Sequence, residues 1–142
     1  MQFIVSDRAS IEEGILVRSS YVLISIRDPD SRIVRVPKQP GLRDVLQLAF
    51  HDAEPASSMT LPKSVTLMTE EQVIQIWSFV EKWKNEVGTI VVHCEQGMSR
   101  SPAVAAALCK RLGGDESKFF EAYQPNSFVY EIMLSCPGDG KP

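Results

Sequence analysis

Between Ile90 and Leu112 the chain passes from a β-branched run, through a short polar loop, into a helix-forming run. Ile90, Val91 and Val92 carry the branched side chains that suit a buried strand. The run from Arg100 to Leu112 is rich in alanine and leucine. Pro102 is tolerated in its first turn, and Gly113-Gly114 stops it. A strand leading straight into a helix is the repeating unit of an α/β fold, and its connecting loop lies at the carboxyl end of the strand. Here His93 and Cys94 begin the loop, Glu95 to Ser99 form it, and Arg100 and Ser101 leave it. Backbone N–H groups gathered at a helix N-terminus make an anion site. The same field holds a cysteine at its base as thiolate, and a thiolate facing a bound phosphate is a nucleophile facing a substrate.

The rest of the chain repeats the alternation. Strands are expected at residues 2–5, 21–26, 33–36, 45–50 and 90–93. Helices are expected at 11–16, 70–86, 100–112 and 115–123, with a last one starting after Asn126. Thr69-Glu70-Glu71-Gln72 reads as a capping box ahead of Val73, Ile76, Trp77, Val80 and Trp83, an apolar face at helical spacing. In the last helix Phe128, Ile132 and Met133 are expected to face inward, and Asp28-Pro-Asp-Ser reads as a turn. The alternation implies a mostly parallel central sheet flanked by helices. The crossover helix at 70–86 is expected to set strands 45–50 and 90–93 side by side, with Asp52 and Cys94 on one rim. Residues 53–68 form a long stretch without regular structure, of the kind that folds over a site.

Composition narrows the setting. A chain of 142 residues, 44% hydrophobic and 23% charged, is expected to be a single soluble domain over 1–142, with 137–142 a flexible tail. A net charge of −3 offers no global basic field, so no nucleic-acid partner is expected. No apolar run reaches the ~20 residues of a membrane span, and the N-terminus lacks a secretory pattern. Cys94, Cys109 and Cys136 are odd in number and lack CxxC spacing, which points to a reducing, cytoplasmic setting. Two histidines exclude a histidine-rich metal cluster, and no metal or cofactor is implied. A monomer is the default.

Arg100 suits a phosphate clamp: a planar guanidinium holds two phosphoryl oxygens, and a cation at a helix N-terminus calls for an anion. Gly97 supplies backbone freedom. Glu95, Gln96, Met98 and Ser99 are expected to offer amides more than side chains. Ser101 either donates to the departing thiolate or caps the helix. His93 is expected to orient the loop and tune the thiolate. Asp52 is the candidate general acid, with a plain turn aspartate as the alternative and Glu54 in reserve. Cys109 and Cys136 read as inert buried cysteines, and their oxidation as a regulatory event stays open.

The run His93-Cys94-Glu95-Gln96-Gly97-Met98-Ser99-Arg100-Ser101 resembles the signature loop of the cysteine-dependent protein tyrosine phosphatases, His-Cys-x-x-Gly-x-x-Arg-Ser/Thr. With Pro102 and the alanines that follow, it looks most like the small dual-specificity branch. The turn Gln124-Pro125-Asn126-Ser127-Phe128 resembles the Pro-Asn turn of that branch. The resemblance implies a three-layer phosphatase sandwich acting on a phosphorylated protein or peptide. It makes Cys94 a phosphocysteine nucleophile, Arg100 the phosphate ligand and Ser101 an aid to hydrolysis, with an upstream aspartate as acid, best matched by Asp52. No Trp-Pro-Asp is present, and Asp52 lies farther from Cys94 than the branch usually shows. A phosphate-binding module without turnover is the competing class. Sulfur transfer or arsenate reduction is a third, lowered because no second cysteine lies close in sequence.

Overall fold

The computed structural model describes residues 1–55 and 61–135. Its elements run β1 (Gln2–Asp7), α1 (Arg8–Glu13), β2 (Tyr21–Arg27), β3 (Leu42–Ala49), α2 (Glu70–Trp83), β4 (Thr89–Cys94), α3 (Arg100–Arg111), α4 (Ser117–Ala122) and α5 (Ser127–Ser135). The expected alternation is present, and so is the capping box: Gln72 N–H donates to Thr69 Oγ1, and Thr69 N–H donates to Gln72 Oε1.

The four strands form one sheet in the order β1-β4-β2-β3, and every pair is parallel. This corrects the expectation that the strands flanking α2 would be neighbours. β2 lies between β3 and β4, because all its residues from Tyr21 to Ile26 are buried while β3 exposes Arg43 and Gln47. A strand apolar on both faces belongs inside a sheet, and one with polar positions belongs at its edge.

The main core lies on one sheet face, where Val22, Ile24, Ile26, Ile90 and Val92 meet α2, α3, α4 and α5. The other face carries Tyr21, Leu23 and Val91, covered by Ile11 of α1 and by Val34. No strand forms at 33–36. Those backbone groups are satisfied by side chains instead: the Arg8 guanidinium donates to the carbonyls of Arg32 and Ile33, and Glu12 accepts from Arg35 N–H. Helix α1 begins at Arg8 rather than residue 11, since Asp7 accepts from Ser10 N–H at 2.7 Å and caps it there. In α5 the fully buried side chains are Val129 and Met133; Phe128 and Ile132 pack from the margin. The tail at 137–142 and Cys136 lie outside the described residues.

Candidate active site

Parallel strands end on one rim. β4 ends at Cys94, β3 leads through Phe50 to Asp52, and β2 leads to Asp28. Between β4 and α3 the loop 95–99 folds into a cup. Gly97 has φ +70°, and a Cβ there would lie 2.8 Å from the Ser6 carbonyl oxygen, so both conformation and space require glycine. A cavity of about 410 Å³ opens over the cup, lined by Cys94, Glu95, Gln96, Met98, Ser99 and Arg100 together with Asp28, His51, Asp52, Ala53 and Val65. Of the expected 53–68 stretch, Ala53 and Val65 line the cavity, and beside Val65 the Thr66 N–H donates to His51 Nδ1 while the His51 backbone N–H donates to the Thr66 carbonyl.

Cys94 Sγ lies 3.1 Å from Ser101 Oγ and 3.4 Å from Ser101 N. Ser101 is fully buried, and Ser99, not Ser101, holds the N-cap position of α3. Of the two roles read for Ser101, the geometry is that of a hydroxyl on the sulfur. His93 is on the opposite sheet face, fully buried beside its register partner Ser25. The Cys94 carbonyl, 3.1 Å from His93 Nδ1, can only accept, so Nδ1 carries the proton and Ser25 Oγ donates to Nε2 at 2.6 Å. Burial lowers the His93 pKa, which keeps the ring neutral. His93 is therefore a strut behind the cup.

Arg100 is 4% exposed. Its Nη1 donates to Asp28 Oδ1 and to the Phe50 carbonyl, both at 2.7 Å. Its Nε is buried with no partner, a cationic donor left for something to accept. Asp28 read as turn chemistry in the sequence, and it is in a turn, with its carbonyl accepting from Ser31 Oγ and Arg27 Nη1. Its carboxylate, however, orients the arginine. The available signal was its place directly after the most apolar strand, at the same rim as Asp52.

Asp52 reaches the cup. Its Oδ1 accepts from Ser99 Oγ at 2.8 Å and from Asn126 Nδ2 at 2.7 Å. Ser99 thus uses its side chain here, where amides more than side chains were expected. Glu95 likewise uses its side chain, which accepts from Arg8 Nη1 at 3.1 Å. Glu54 turns away and accepts Ser127 N–H at the start of α5, so the reserve acid does not line the cavity. Asn126 is the residue the sequence reading undervalued. Fully buried, it donates to Asp52 and to the Ala53 carbonyl, accepts Val129 N–H, and gives its backbone N–H to Ser99 O. No local signal in the sequence says that this turn touches Asp52 and Ala53, beyond the end of β3.

No protein-family model and no curated protein matches the chain by sequence. Solved structures do match. Human DUSP28 superposes with a TM-score of 0.60 at 20% identity, covering 94% of this chain and 89% of that one. The human tyrosine phosphatase-like serine/threonine/tyrosine-interacting protein superposes with a TM-score of 0.59 at 17% identity, again over 94% and 89%. The chain has the fold of the small dual-specificity phosphatases. In that fold the nine residues on which the resemblance rested run from the end of β4, through the cup, into the start of α3. Among the described residues no helix is long and apolar enough to cross a membrane.

Proposed function

We propose that this protein hydrolyses phosphomonoesters on a phosphorylated protein or peptide, through a phosphocysteine intermediate. The observation that carries the reading is the buried, partnerless Nε of Arg100, a residue that lines the same cavity as Cys94. A desolvated guanidinium donor calls for an anionic acceptor, and the cup's amides ask for the same one.

The chemistry has two steps. Cys94 Sγ attacks phosphorus, the P–O bond to the leaving group breaks, and Asp52 gives that oxygen its proton. Water then attacks the S-bound phosphoryl group, giving its proton to the ionised Asp52 as the P–S bond breaks. Ser101 Oγ, at 3.1 Å, donates to the sulfur as it departs. Arg100 and the loop amides hold charge on the equatorial oxygens throughout. Asp28 and the Phe50 carbonyl fix Nη1, which aims the remainder of the guanidinium. A reducing, cytoplasmic setting suits a nucleophile that must remain a thiol.

The test is release of p-nitrophenol from p-nitrophenyl phosphate, abolished in Cys94→Ser and strongly reduced on poor leaving groups in Asp52→Ala. Turnover that survives Cys94→Ser would reject the phosphocysteine route. A phosphate-binding module is the second reading, favoured by the phosphatase-like interacting protein among the structural neighbours. Retained phosphopeptide binding with no turnover would select it.

A further inference from the structure

We infer that the site selects a single phosphate carried on a neutral or basic peptide, and discriminates against acidic or polyphosphorylated substrates. The inference rests on the phosphatase reading and deepens it. Among the described residues lining the cavity Arg100 is the one lysine or arginine; Asp28 and Glu95 line it too, ion-paired with Arg100 and Arg8, and Asp52 lines it as the proton donor of the proposed mechanism. The arginine is partly committed, since Nη1 already serves Asp28 and the Phe50 carbonyl. The His51 ring is engaged on both sides: its Nδ1 accepts Thr66 N–H, and its Nε2 lies 2.9 Å from Asp30 Oδ1. Asp30 then adds a further, solvent-exposed carboxylate beside the opening.

The nearby arginines lie outside the cavity lining and are engaged elsewhere. Arg8 is bound to Glu12 and Glu95, and Arg32 is bound to Glu12. Arg27 gives Nη1 to the carbonyls of Asp28, Pro29 and Ser31. Lys63 does not line the cavity either. A first phosphate therefore meets Arg100 and the cup. A second phosphate, or a flanking aspartate, finds no second lysine or arginine among the described residues lining the cavity. Ala53, Val65 and Met98 offer an apolar wall for the group that carries the ester. Like charges within a Debye length raise the cost of association, and opposite charges lower it.

The experiment compares kcat/KM for matched phosphotyrosine peptides with lysines, glycines or aspartates on both sides of the phosphotyrosine. p-Nitrophenyl phosphate serves as the control without flanking charge, with an inositol polyphosphate and a 5′-phosphorylated oligoribonucleotide as polyanions. Lysine peptides are expected to exceed aspartate peptides at least about threefold at low salt. The ratio should contract at 1 M salt, where the screening length is ~3 Å. Asp30→Lys should narrow the ratio at least about twofold, since it reverses a charge at the opening. A ratio below threefold, or faster hydrolysis of either polyanion, overturns the inference while leaving the phosphatase reading intact. Failure on p-nitrophenyl phosphate sinks that reading instead. Affinity of Cys94→Ser for the same three peptides then reads the same charge preference, with the same threshold.

Discussion

Replacing Asn126 by alanine separates the acid's placement from its chemistry. The amide makes three side-chain hydrogen bonds: to Asp52 Oδ1 at 2.7 Å, to the Ala53 carbonyl at 3.1 Å, and from Val129 N–H at 3.0 Å. The residue is fully buried, so water does not replace what is lost. At about 1 kcal/mol per bond the change costs about 3 kcal/mol of stability, which lowers Tm by about 10 °C for a chain of this size. Asp52 keeps only Ser99 as a partner and loses its fixed position over the cup. General-acid catalysis supplies about 10²–10⁴-fold, and losing position forfeits part of it, so about 10–10²-fold is expected on alkyl phosphates. An activated aryl ester needs little help with its leaving oxygen and should lose much less. Asn126→Asp keeps an acceptor for Val129 N–H but turns the Asp52 contact repulsive, so it should show the same leaving-group dependence. The assay is kcat/KM across phosphate esters of graded leaving-group basicity, below the melting transition, beside thermal denaturation. A uniform loss across the series, or no loss, would refute the positioning role even if Tm falls as expected.

Three further outcomes follow from the same geometry. Arg100→Lys should lose about 10²-fold or more in kcat/KM and weaken inhibition by inorganic phosphate, because one ammonium cannot serve Asp28, the Phe50 carbonyl and a phosphoryl group together; unchanged rate and inhibition would reject the clamp. Ser101→Ala should slow breakdown of the intermediate more than its formation, giving a stopped-flow burst of p-nitrophenol at one equivalent of enzyme, and a reduced rate without a burst would place Ser101 elsewhere. Burial lowers the His93 pKa in the folded state, so the unfolded chain binds the proton first and stability falls as pH drops below the ordinary value of 6.5. Denaturant titrations from pH 7.5 to 5 should show that slope, and His93→Asn should flatten it.

The strand–loop–helix unit at 90–112 was legible because its signals are local. β-Branched residues, a glycine that must take positive φ and a proline in a first turn each act within a few residues of themselves. The capping box at Thr69 and the approach of Ser101 to Cys94 were readable for the same reason. Local periodicity also marked β2 and β3 as strands, but it carries no information about which strands become neighbours. That choice depended on burying β2 on both faces and leaving β3 with a polar edge, a comparison made over the whole sheet.

Side-chain partners across the rim needed the same global information. Asp28 and Arg100 are 72 residues apart, and Asn126 and Asp52 are 74 apart, so no spacing rule joins them. The parallel sheet brings Asp28, Asp52 and Cys94 to one edge, and the buried guanidinium and amide must then find acceptors among whatever lies there. The chain by itself determined the cysteine, the arginine and the cup that holds them. Only the tertiary structure decided which carboxylate steers the arginine and which one Asn126 and Ser99 hold over the cup, because burial and side-chain partners belong to the assembled rim.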